Sequence, residues 1–335
     1  MGLQIGDIVQ RRSLEFSELK GKVIAVDAFN ALYQFLSSIR QPDGTPLMDS
    51  KRRVTSHLSG LFYRNLALIS EGVKLVYVFD GEYHELKRRT KEIRQEAKLV
   101  AADKYEQAKE EEDIEGMGKY ARGFTRLDGE MIEESKELLE AMGVAVVNAP
   151  GEGEMQCAQL VKDGEAWAVG SQDYDALVVG GTRLIQNLTL ARKRKTPTGF
   201  MYISPEMIEY EKVLNDLGLD SDQLICLAIL VGTDFNPGGI RGLGPKKSLA
   251  LVKQKKYPVE IFKEVEHNMD FNWQDVFEIF KKPNVNSLKL KFPKLNEDRI
   301  INILVNEHEF SLGRVEKNLE KLKKAKREST QQTLF

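Results

Sequence analysis

Short, continuous apolar runs recur along the first half of the chain, and longer stretches with helical spacing separate them. Continuous apolar runs are typical of strands that are buried on both faces of a parallel sheet. The pattern therefore predicts an α/β fold with a central, mostly parallel sheet flanked by helices. The predicted strands are residues 23–26, 75–79, 144–147, 166–169 and 177–179. The predicted helices between them are residues 29–39, 54–71, 129–142 and 153–162.

Residues 84–128 interrupt this alternation with a charged segment that is rich in helix formers and has no strand pattern. We predict two helices that protrude from the sheet, broken at residues 116–118 and at Gly123; a surface decoration without function is the alternative. From Ser204 onward the pattern is helical. The predicted helices there are residues 205–217, 221–231, 245–253, 272–280, 297–306 and 316–328.

The composition is that of a chain with a proper core: 335 residues, 41% hydrophobic and 30% charged, which suits one large domain or two ordinary ones. Only Cys157 and Cys226 are present, without a Cys or His cluster nearby, so a disulfide framework and a Cys-based zinc site are excluded. The sequence shows no signal-peptide pattern and no apolar stretch of about 20 residues. We therefore expect an intracellular protein with no membrane span.

The charges nearly cancel, with 49 Lys and Arg against 51 Asp and Glu, but they are segregated along the chain. Residues 192–195 are all basic. Residues 235–259 contain six lysines and arginines and no acid, whereas residues 110–115 are mostly acidic. Segregated charge favours local basic patches beside a separate acidic site. Solvated faces of surface helices are the alternative for any single run.

Carboxylates follow most of the predicted strands and one later apolar helix. Because ligands of parallel sheets bind at the carboxyl ends of the strands, these side chains should gather at one edge. They are Asp27, Asp80, Glu152, Glu154, Asp173, Asp175 and Asp234. A single carboxylate of this kind is more often a helix cap or turn residue, but five such coincidences favour a cluster.

A cluster of seven carboxylates needs cations to remain ionised. Ligands that are all oxygen, with no histidine, favour Mg²⁺ or Mn²⁺ over zinc. Two such ions about 4 Å apart suit the in-line attack of water on a phosphodiester. The sequence therefore predicts a two-metal hydrolase that acts on a polyanion.

Two basic elements suit such a substrate. Lys87 and Arg94 are seven residues apart on a predicted helix and so share one face. The Gly-rich turn at residues 239–248 opens a helix with two lysines and resembles a helix-hairpin-helix contact with a DNA backbone; a plain Gly-rich loop is the alternative. The candidate DNA-binding residues in this turn are Gly242, Gly244, Lys246 and Lys247.

Several blocks of sequence match one known family in order. The chain resembles the structure-specific 5′ nucleases, above all the archaeal flap endonucleases. The blocks are residues 26–28, 79–81, 149–154, 171–177, 231–234 and 240–247. Two departures are present: Glu82-Tyr83 stands where the family often has Lys-Pro, and Gly151 stands where Ser is usual.

The resemblance implies a division of the chain and roles for its residues. It implies a PIN-like nuclease core at 1–260, which includes a helical arch at 84–128 and a helix-two-turn-helix DNA-binding element at 219–257, then a C-terminal helical region at 261–328 and a clamp-binding tail at 329–335. The seven carboxylates would bind two Mg²⁺ ions, with Mn²⁺ as a substitute, and Lys87 and Arg94 would be catalytic. Gly2 and Tyr33 would contact DNA near the site, and the turn at Gly239, Ile240 and Leu243 would hold K⁺.

The function that the resemblance implies is a 5′ flap endonuclease with 5′–3′ exonuclease activity, acting in DNA replication and repair. Flapped or branched DNA and a sliding clamp (PCNA) would be its partners, and the location would be intracellular, in the cytoplasm or nucleoid if the source is an archaeon. The tail residues Gln331, Leu334 and Phe335 fit a clamp-binding peptide, but its usual paired aromatics would fall beyond Phe335, so the tail is truncated or the match is fortuitous. The alternatives are a related 5′ exonuclease, a junction or bubble nuclease, and a non-catalytic, clamp-associated DNA-binding scaffold.

Overall fold

The computed structural model describes residues 3–111, 113–190, 193–196 and 199–332. The strands in this part of the chain are β1 (Arg12–Ser13), β2 (Val23–Asp27), β3 (Lys74–Phe79), β4 (Ala145–Asn148), β5 (Ala168–Gly170), β6 (Arg183–Gln186), β7 (Lys193–Thr196), β8 (Gly199–Tyr202) and β9 (Glu206–Glu209). The α-helices are α1 (Ala28–Ser38), α2 (Ser56–Ser70), α3 (Arg88–Glu110), α4 (Ile114–Tyr120), α5 (Gly129–Ala141), α6 (Gly153–Lys162), α7 (Asp175–Val178), α8 (Tyr210–Leu217), α9 (Ser221–Val231), α10 (Pro245–Lys255), α11 (Pro258–Val265), α12 (Trp273–Lys281), α13 (Glu297–Ile301) and α14 (Leu312–Gln332).

The central sheet has seven strands in the order β1-β9-β6-β5-β2-β3-β4. The strands from β2 to β6 run parallel to their neighbours, while β9 pairs antiparallel with β6 and β1 antiparallel with β9. Strands β7 and β8 form a separate antiparallel hairpin. The prediction of a mostly parallel sheet flanked by helices is therefore confirmed.

Both faces of the parallel strands are buried, which explains why their sequences are continuously apolar. Along β2, Ile24 and Val26 pack into the hydrophobic cluster on one face, while Ala25 packs into the cluster on the other. Along β3, Val76 and Val78 join the same cluster as Ala25. Alternate side chains of each strand thus contribute to two different layers of helices.

The strand order reverses direction at β2. From β2 the chain adds β3 and β4 on one side, and then β5 and β6 on the other. The connections leave β2 and β5 in opposite directions, so a crevice opens between the carboxyl ends of these two neighbours. This is the position where an open parallel sheet binds its ligand.

Two predictions of secondary structure are wrong. Residues 177–179 are not a strand, because the short helix α7 contains most of this buried apolar run, and the next strand is β6. The helix predicted at 205–217 begins only at Tyr210, because Glu206–Glu209 pairs with β6 as strand β9. The remaining predicted strands and helices are present, with ends shifted by up to a few residues.

The insertion contains two helices, as predicted, but the break between them lies elsewhere. Helix α3 ends at Glu110 and α4 begins at Ile114, so residues 116–118 lie inside a helix. Asp113 caps α4 by accepting a hydrogen bond from the Gly116 amide at 2.9 Å. A Cβ at position 116 would collide with the Asp113 carboxylate, so the glycine serves the cap and does not end the helix.

The C-terminal helices return to the first part of the chain. Helix α14 packs against α2 with Val315, Leu319 and Leu322 fully buried. His308 precedes it and lies between two carboxylates, with Nε2 2.9 Å from Glu134 Oε1 and Nδ1 3.3 Å from Asp49 Oδ2. No helix in the described ranges is long and apolar enough to span a bilayer.

Candidate active site

All seven predicted carboxylates line a single cavity of about 560 Å³. The cavity lies at the carboxyl edge of the sheet, where the strand order reverses. Lys87, Arg94 and Tyr33 line it as well. The structure thus brings together every predicted metal ligand, the predicted catalytic pair and Tyr33, which was predicted to contact DNA near the site.

Strands β2 and β3 place the first two carboxylates. Asp27 is the last residue of β2 and the N-cap of α1, where it accepts a hydrogen bond from the Asn30 amide at 3.1 Å. Asp80 follows β3 directly and accepts from the Gly153 amide at 2.6 Å. Burial and the neighbouring carboxylate of Asp80 raise the pKa of Asp27 to about 8. Burial and the charge of Glu152 raise the pKa of Asp80.

Helix α6 contributes two acids from its first turn. Glu152 is its N-cap residue, and Glu154 accepts a hydrogen bond from the Ala176 amide at 3.2 Å. Gly153 between them lies so close to β3 that a Cβ there would be 2.7 Å from Asp80 Oδ1. Burial and the charge of Asp175 raise the pKa of Glu154 well above its ordinary value.

The loop after β5 and the start of α7 supply Asp173 and Asp175. Burial and the charge of Asp234 raise the pKa of Asp173. Burial and the charge of Asp173 raise the pKa of Asp175 to about 7. Asp175 Oδ1 is buried and has no hydrogen-bond partner among the described residues. Carboxylates in this condition require a cation to remain ionised.

Asp234 follows α9 and is held by the arch. Arg94 donates two hydrogen bonds to its carboxylate, at 2.8 and 2.7 Å, in a bidentate pair. Lys87 Nζ pairs with Glu152 and lies 3.7 Å from Asp234 Oδ2. Burial lowers the pKa of Lys87, but the charges of Glu152 and Asp234 outweigh burial and raise it above its ordinary value.

The donor set fits a hard divalent cation. Every acidic ligand offers oxygen, and Asp175, whose buried Oδ1 has no hydrogen-bond partner among the described residues, lines the cavity. In the described part of the chain, however, no three His, Cys, Asp or Glu side chains are arranged closely enough to hold a metal ion as they stand. Lys87 and Arg94 hold two of the acids instead, and the carboxylates would have to move closer together to bind a metal ion.

Asn30 is a site residue that the sequence analysis missed. Its backbone amide donates to Asp27, and its Nδ2 donates to Asp173 Oδ2 at 3.3 Å. Its Oδ1 accepts from the Gln172 amide at 3.4 Å. Asn30 therefore ties the carboxyl ends of β2 and β5 together. Its position three residues after an N-cap carboxylate is the signal that could have identified it.

The predicted DNA-contact residues of the Gly-rich turn lie outside this cavity. Gly242 has a φ of 84°, and Gly244 is the N-cap of α10. Both glycines are exposed, with nothing within 4 Å of a Cβ built on them, and Lys246 and Lys247 are exposed in the first turn of α10. The structure thus presents this turn and its lysines to solvent.

The residues of the predicted K⁺ site form the inner side of the same turn. Gly239 has a φ of 55° and approaches the end of α9 so closely that a Cβ would clash with the backbone there. Ile240 is buried, and its amide donates to the Leu230 carbonyl at 2.8 Å. The Leu243 amide donates to the Ile240 carbonyl at 3.0 Å.

The remaining predicted site residues lie at the chain ends. Gly2, Leu334 and Phe335 are outside the described residues. Gln331 lies in the last turn of α14. The first residues of the predicted clamp-binding tail, 329–332, thus continue α14.

Comparison with known proteins identifies two family domains in the chain. Residues 3–101 match the XPG N-terminal domain, and residues 143–234 match the XPG I-region. These two ranges contain all seven carboxylates as well as Lys87 and Arg94, and residues 102–142 separate them.

Relatives match over nearly the whole chain. Flap endonuclease 1 of Aeropyrum pernix is 48% identical over 98% of this chain and 96% of its own length, and that of Pyrococcus furiosus is 48% identical over 100% and 98%. The solved flap endonuclease-1 from Methanococcus jannaschii is 40% identical with a TM-score of 0.76, covering 97% of this chain and 98% of that one. The catalytic core of Rad2 in complex with DNA substrate shares the fold. It is 22% identical with a TM-score of 0.68, covering 96% of this chain and 100% of that one.

Proposed function

Because the chain belongs to the flap endonuclease family, with its XPG N-terminal and XPG I-region domains, we propose that it hydrolyses phosphodiesters of flapped DNA near the junction of single strand and duplex. The observation that carries this proposal is the convergence of seven carboxylates with Lys87 and Arg94 in one cavity. The proposed activity includes 5′–3′ exonuclease action and serves DNA replication and repair.

Two Mg²⁺ ions are the proposed cofactors, with Mn²⁺ as a substitute. The ligands would be Asp27, Asp80, Glu152, Glu154, Asp173, Asp175 and Asp234. When bound, two divalent ions supply charge that stabilises the attacking and leaving oxygens of an in-line displacement. The raised carboxyl pKa values and the unpartnered Asp175 oxygen support this assignment, because both mark negative charge that the protein leaves uncompensated.

Lys87 and Arg94 are proposed to bind the scissile phosphate. Both cations now pair with acids of the cavity, Lys87 with Glu152 and Arg94 with Asp234. With these carboxylates held by metal ions, the two cations would be free to bind a phosphate oxygen in the same cavity. Arg94 suits a bidentate contact with phosphate, and Lys87 acts as a point charge. Tyr33 would stack on a nucleotide beside them.

The Gly-rich turn is proposed to contact the duplex backbone. Gly242 and Gly244 allow close approach, and Lys246 and Lys247 supply exposed charge at the start of α10. We assign K⁺ to the turn at Gly239, Ile240 and Leu243, and a contact near the scissile end to Gly2. Binding through these groups is independent of base sequence and weakens steeply with salt.

The tail at residues 329–335 is proposed to bind a sliding clamp (PCNA) through Gln331, Leu334 and Phe335. We also propose the division into a nuclease core at 1–260 and a helical region at 261–328, and a location in the archaeal cytoplasm or nucleoid. The family relationship supports these proposals, since archaeal relatives match over almost their whole length.

The proposal is tested by product mapping on an end-labelled double-flap substrate, with Mg²⁺ and with EDTA. Wild type should cut near the junction only with Mg²⁺, leaving a 5′ phosphate. Asp173→Ala should abolish cleavage and keep flap binding, whereas Asp103→Ala, at an exposed arch position, should cut normally. Faster cleavage of bubble or four-way junction DNA would indicate a different nuclease specificity. Binding without metal-dependent cleavage would indicate a scaffold.

A further inference from the structure

Phe235 follows Asp234 directly and lines the carboxylate cavity, although only 4% of it is exposed. Two perpendicular rings pack against it, His84 with its centroid at 5.6 Å and Phe280 with its centroid at 5.5 Å. Its backbone amide donates to Thr233 Oγ1 at 3.1 Å. The Phe235 ring is therefore held firmly at the wall of the cavity.

The ring of Phe235 lies beneath the ammonium of Lys87. Lys87 Nζ is 5.1 Å from the ring centroid, and only 17% of the Lys87 side chain is exposed. An ammonium within about 6 Å of a ring centroid is attracted by the negative face of the ring, and more strongly where water is excluded. His84 is the N-cap of the 3₁₀ turn Glu85–Lys87, so Phe235 contacts both ends of the turn that precedes α3.

The ring differs from the other partners of Lys87 because it carries no net charge. Glu152 and Asp234 pair with the same ammonium, and both are proposed metal ligands. A carboxylate cancels the positive charge that it holds and competes with a phosphate for it. A ring face attracts the ammonium without cancelling its charge, so the ammonium can bind a phosphate at the same time.

We propose that Phe235 is a positioning residue for the reaction, whose ring face holds the Lys87 ammonium in the cavity where it binds the scissile phosphate. This inference rests on the proposed function, which gives Lys87 its phosphate. A residue that only filled the core would need the volume of the ring but not the negative charge on its face. The tests separate these two roles.

The first test measures single-turnover cleavage of flapped DNA in Mg²⁺ after Phe235 is replaced by a trifluorinated phenylalanine. Fluorine withdraws electrons from the ring face and changes the volume little. The rate should fall about fivefold, equivalent to about 1 kcal/mol, and a monofluorinated ring should give an intermediate rate. The thermal midpoint should stay that of wild type. The same trifluorinated residue in place of Phe62, a buried ring in the other hydrophobic cluster, should leave the rate unchanged.

The second test repeats the trifluorinated substitution in a Lys87→Ala background. If Phe235 acts through Lys87, the rate should fall no further than it does in Lys87→Ala alone. A second fivefold loss would show that the ring acts in some other way and would overturn the proposal.

The third test observes Lys87 itself, in EDTA and without DNA, by NMR of protein labelled with ¹³C at the lysine ε carbons. The Lys87 signal is the one that Lys87→Arg removes. The ring current of Phe235 should place its ε protons upfield of those of exposed lysines. Phe235→Leu, studied at a temperature where it is folded, should move the signal into the range of the exposed lysines.

A trifluorinated Phe235 that cleaves at the wild-type rate, or a Lys87 signal that Phe235→Leu does not move, would overturn the proposal. Absence of flap cleavage by wild type would overturn the proposed function and with it the role in the reaction. The NMR signal would still report the contact in that case, so the two failures are distinguishable.

Discussion

Asp27→Asn should stabilise the metal-free protein while it abolishes cleavage. Asparagine is an equally good N-cap and can still accept the hydrogen bond from the Asn30 amide, so the start of α1 should survive. The substitution removes a carboxyl that, on folding, must either stay charged among six other acids of the cavity or take up a proton. Less repulsion and a smaller desolvation cost should therefore favour the folded state.

The size of the effect follows from the raised pKa of Asp27. Burial and nearby acids raise the pKa of Asp27 from 3.8 to about 8. At pH 7, which lies about three units above the ordinary pKa, the carboxyl must take up a proton for the protein to fold, and this opposes folding. At about 1.36 kcal/mol per unit the ceiling is about 4 kcal/mol. Because the neighbouring acids titrate together with Asp27, the raised pKa belongs partly to them. We therefore expect Asp27→Asn to increase the free energy of unfolding by about 2 kcal/mol. With about 0.7 kcal/mol/K of unfolding entropy for this length, the thermal midpoint should rise by about 3 °C.

The assay is thermal unfolding in EDTA between pH 4 and pH 8. A raised carboxyl pKa costs nothing below 3.8 and the full amount above about 8, so the gain in midpoint should be small at pH 4 and grow with pH. Asp103→Asn removes the same charge from an exposed arch position and should leave the midpoint unchanged. Saturating Mg²⁺ should narrow the difference, because wild type binds the ions better. A midpoint for Asp27→Asn at or below that of wild type at pH 7, or a gain as large at pH 4, would refute the electrostatic account.

Three further predictions concern other parts of the molecule. Lys87→Ala should lower the single-turnover cleavage rate at least tenfold, because a charge aimed at the transition state contributes about 2–4 kcal/mol. Gly81→Ala should cost about 1–3 kcal/mol in urea unfolding, because its Cβ would collide with the Ala149 carbonyl oxygen. Burial lowers the pKa of His308, but the hydrogen bond and charge of Glu134 outweigh burial and raise it. His308→Gln should therefore reduce the free energy of unfolding most below pH 6.5, and the reduction should become smaller as the pH rises.

Matched variants serve as controls for these three predictions. Lys109→Ala removes an exposed lysine from the far end of α3 and should leave the cleavage rate unchanged. Gly129→Ala adds a methyl group where nothing lies within 4 Å and should unfold like wild type. His267→Gln changes an exposed histidine and should leave the pH dependence of stability unaltered. A control that behaves like its test variant would contradict the corresponding explanation.

The parallel core and the acidic cluster could be predicted from sequence because one physical cause produces both. Burial on two faces makes β2 and β3 continuously apolar, and the topology of a parallel sheet brings the residues that follow them to one edge. The apolar run at 177–179 was wrongly predicted as a strand, because a short buried helix has the same composition as a buried strand. Strand β9 was missed because its pairing with β6 is a contact between distant segments that local pattern does not record.

The ion pairs of the site could not be predicted from the sequence. The spacing of Lys87 and Arg94 predicts a shared face of a helix, but their pairing with Glu152 and Asp234 depends on how the arch docks over the sheet. The hydrogen bond from Asn30 Nδ2 to Asp173 likewise exists only after β2 and β5 have become neighbours. Such contacts are properties of tertiary structure.

The distances along the chain between the acids have a consequence for biosynthesis. Asp27 emerges from the ribosome early, whereas Asp234, which closes the cavity against Arg94, emerges only after more than two thirds of the polypeptide has been made. An unfinished chain therefore holds an incomplete set of ligands and should be unable to cut nucleic acid while it is still being translated.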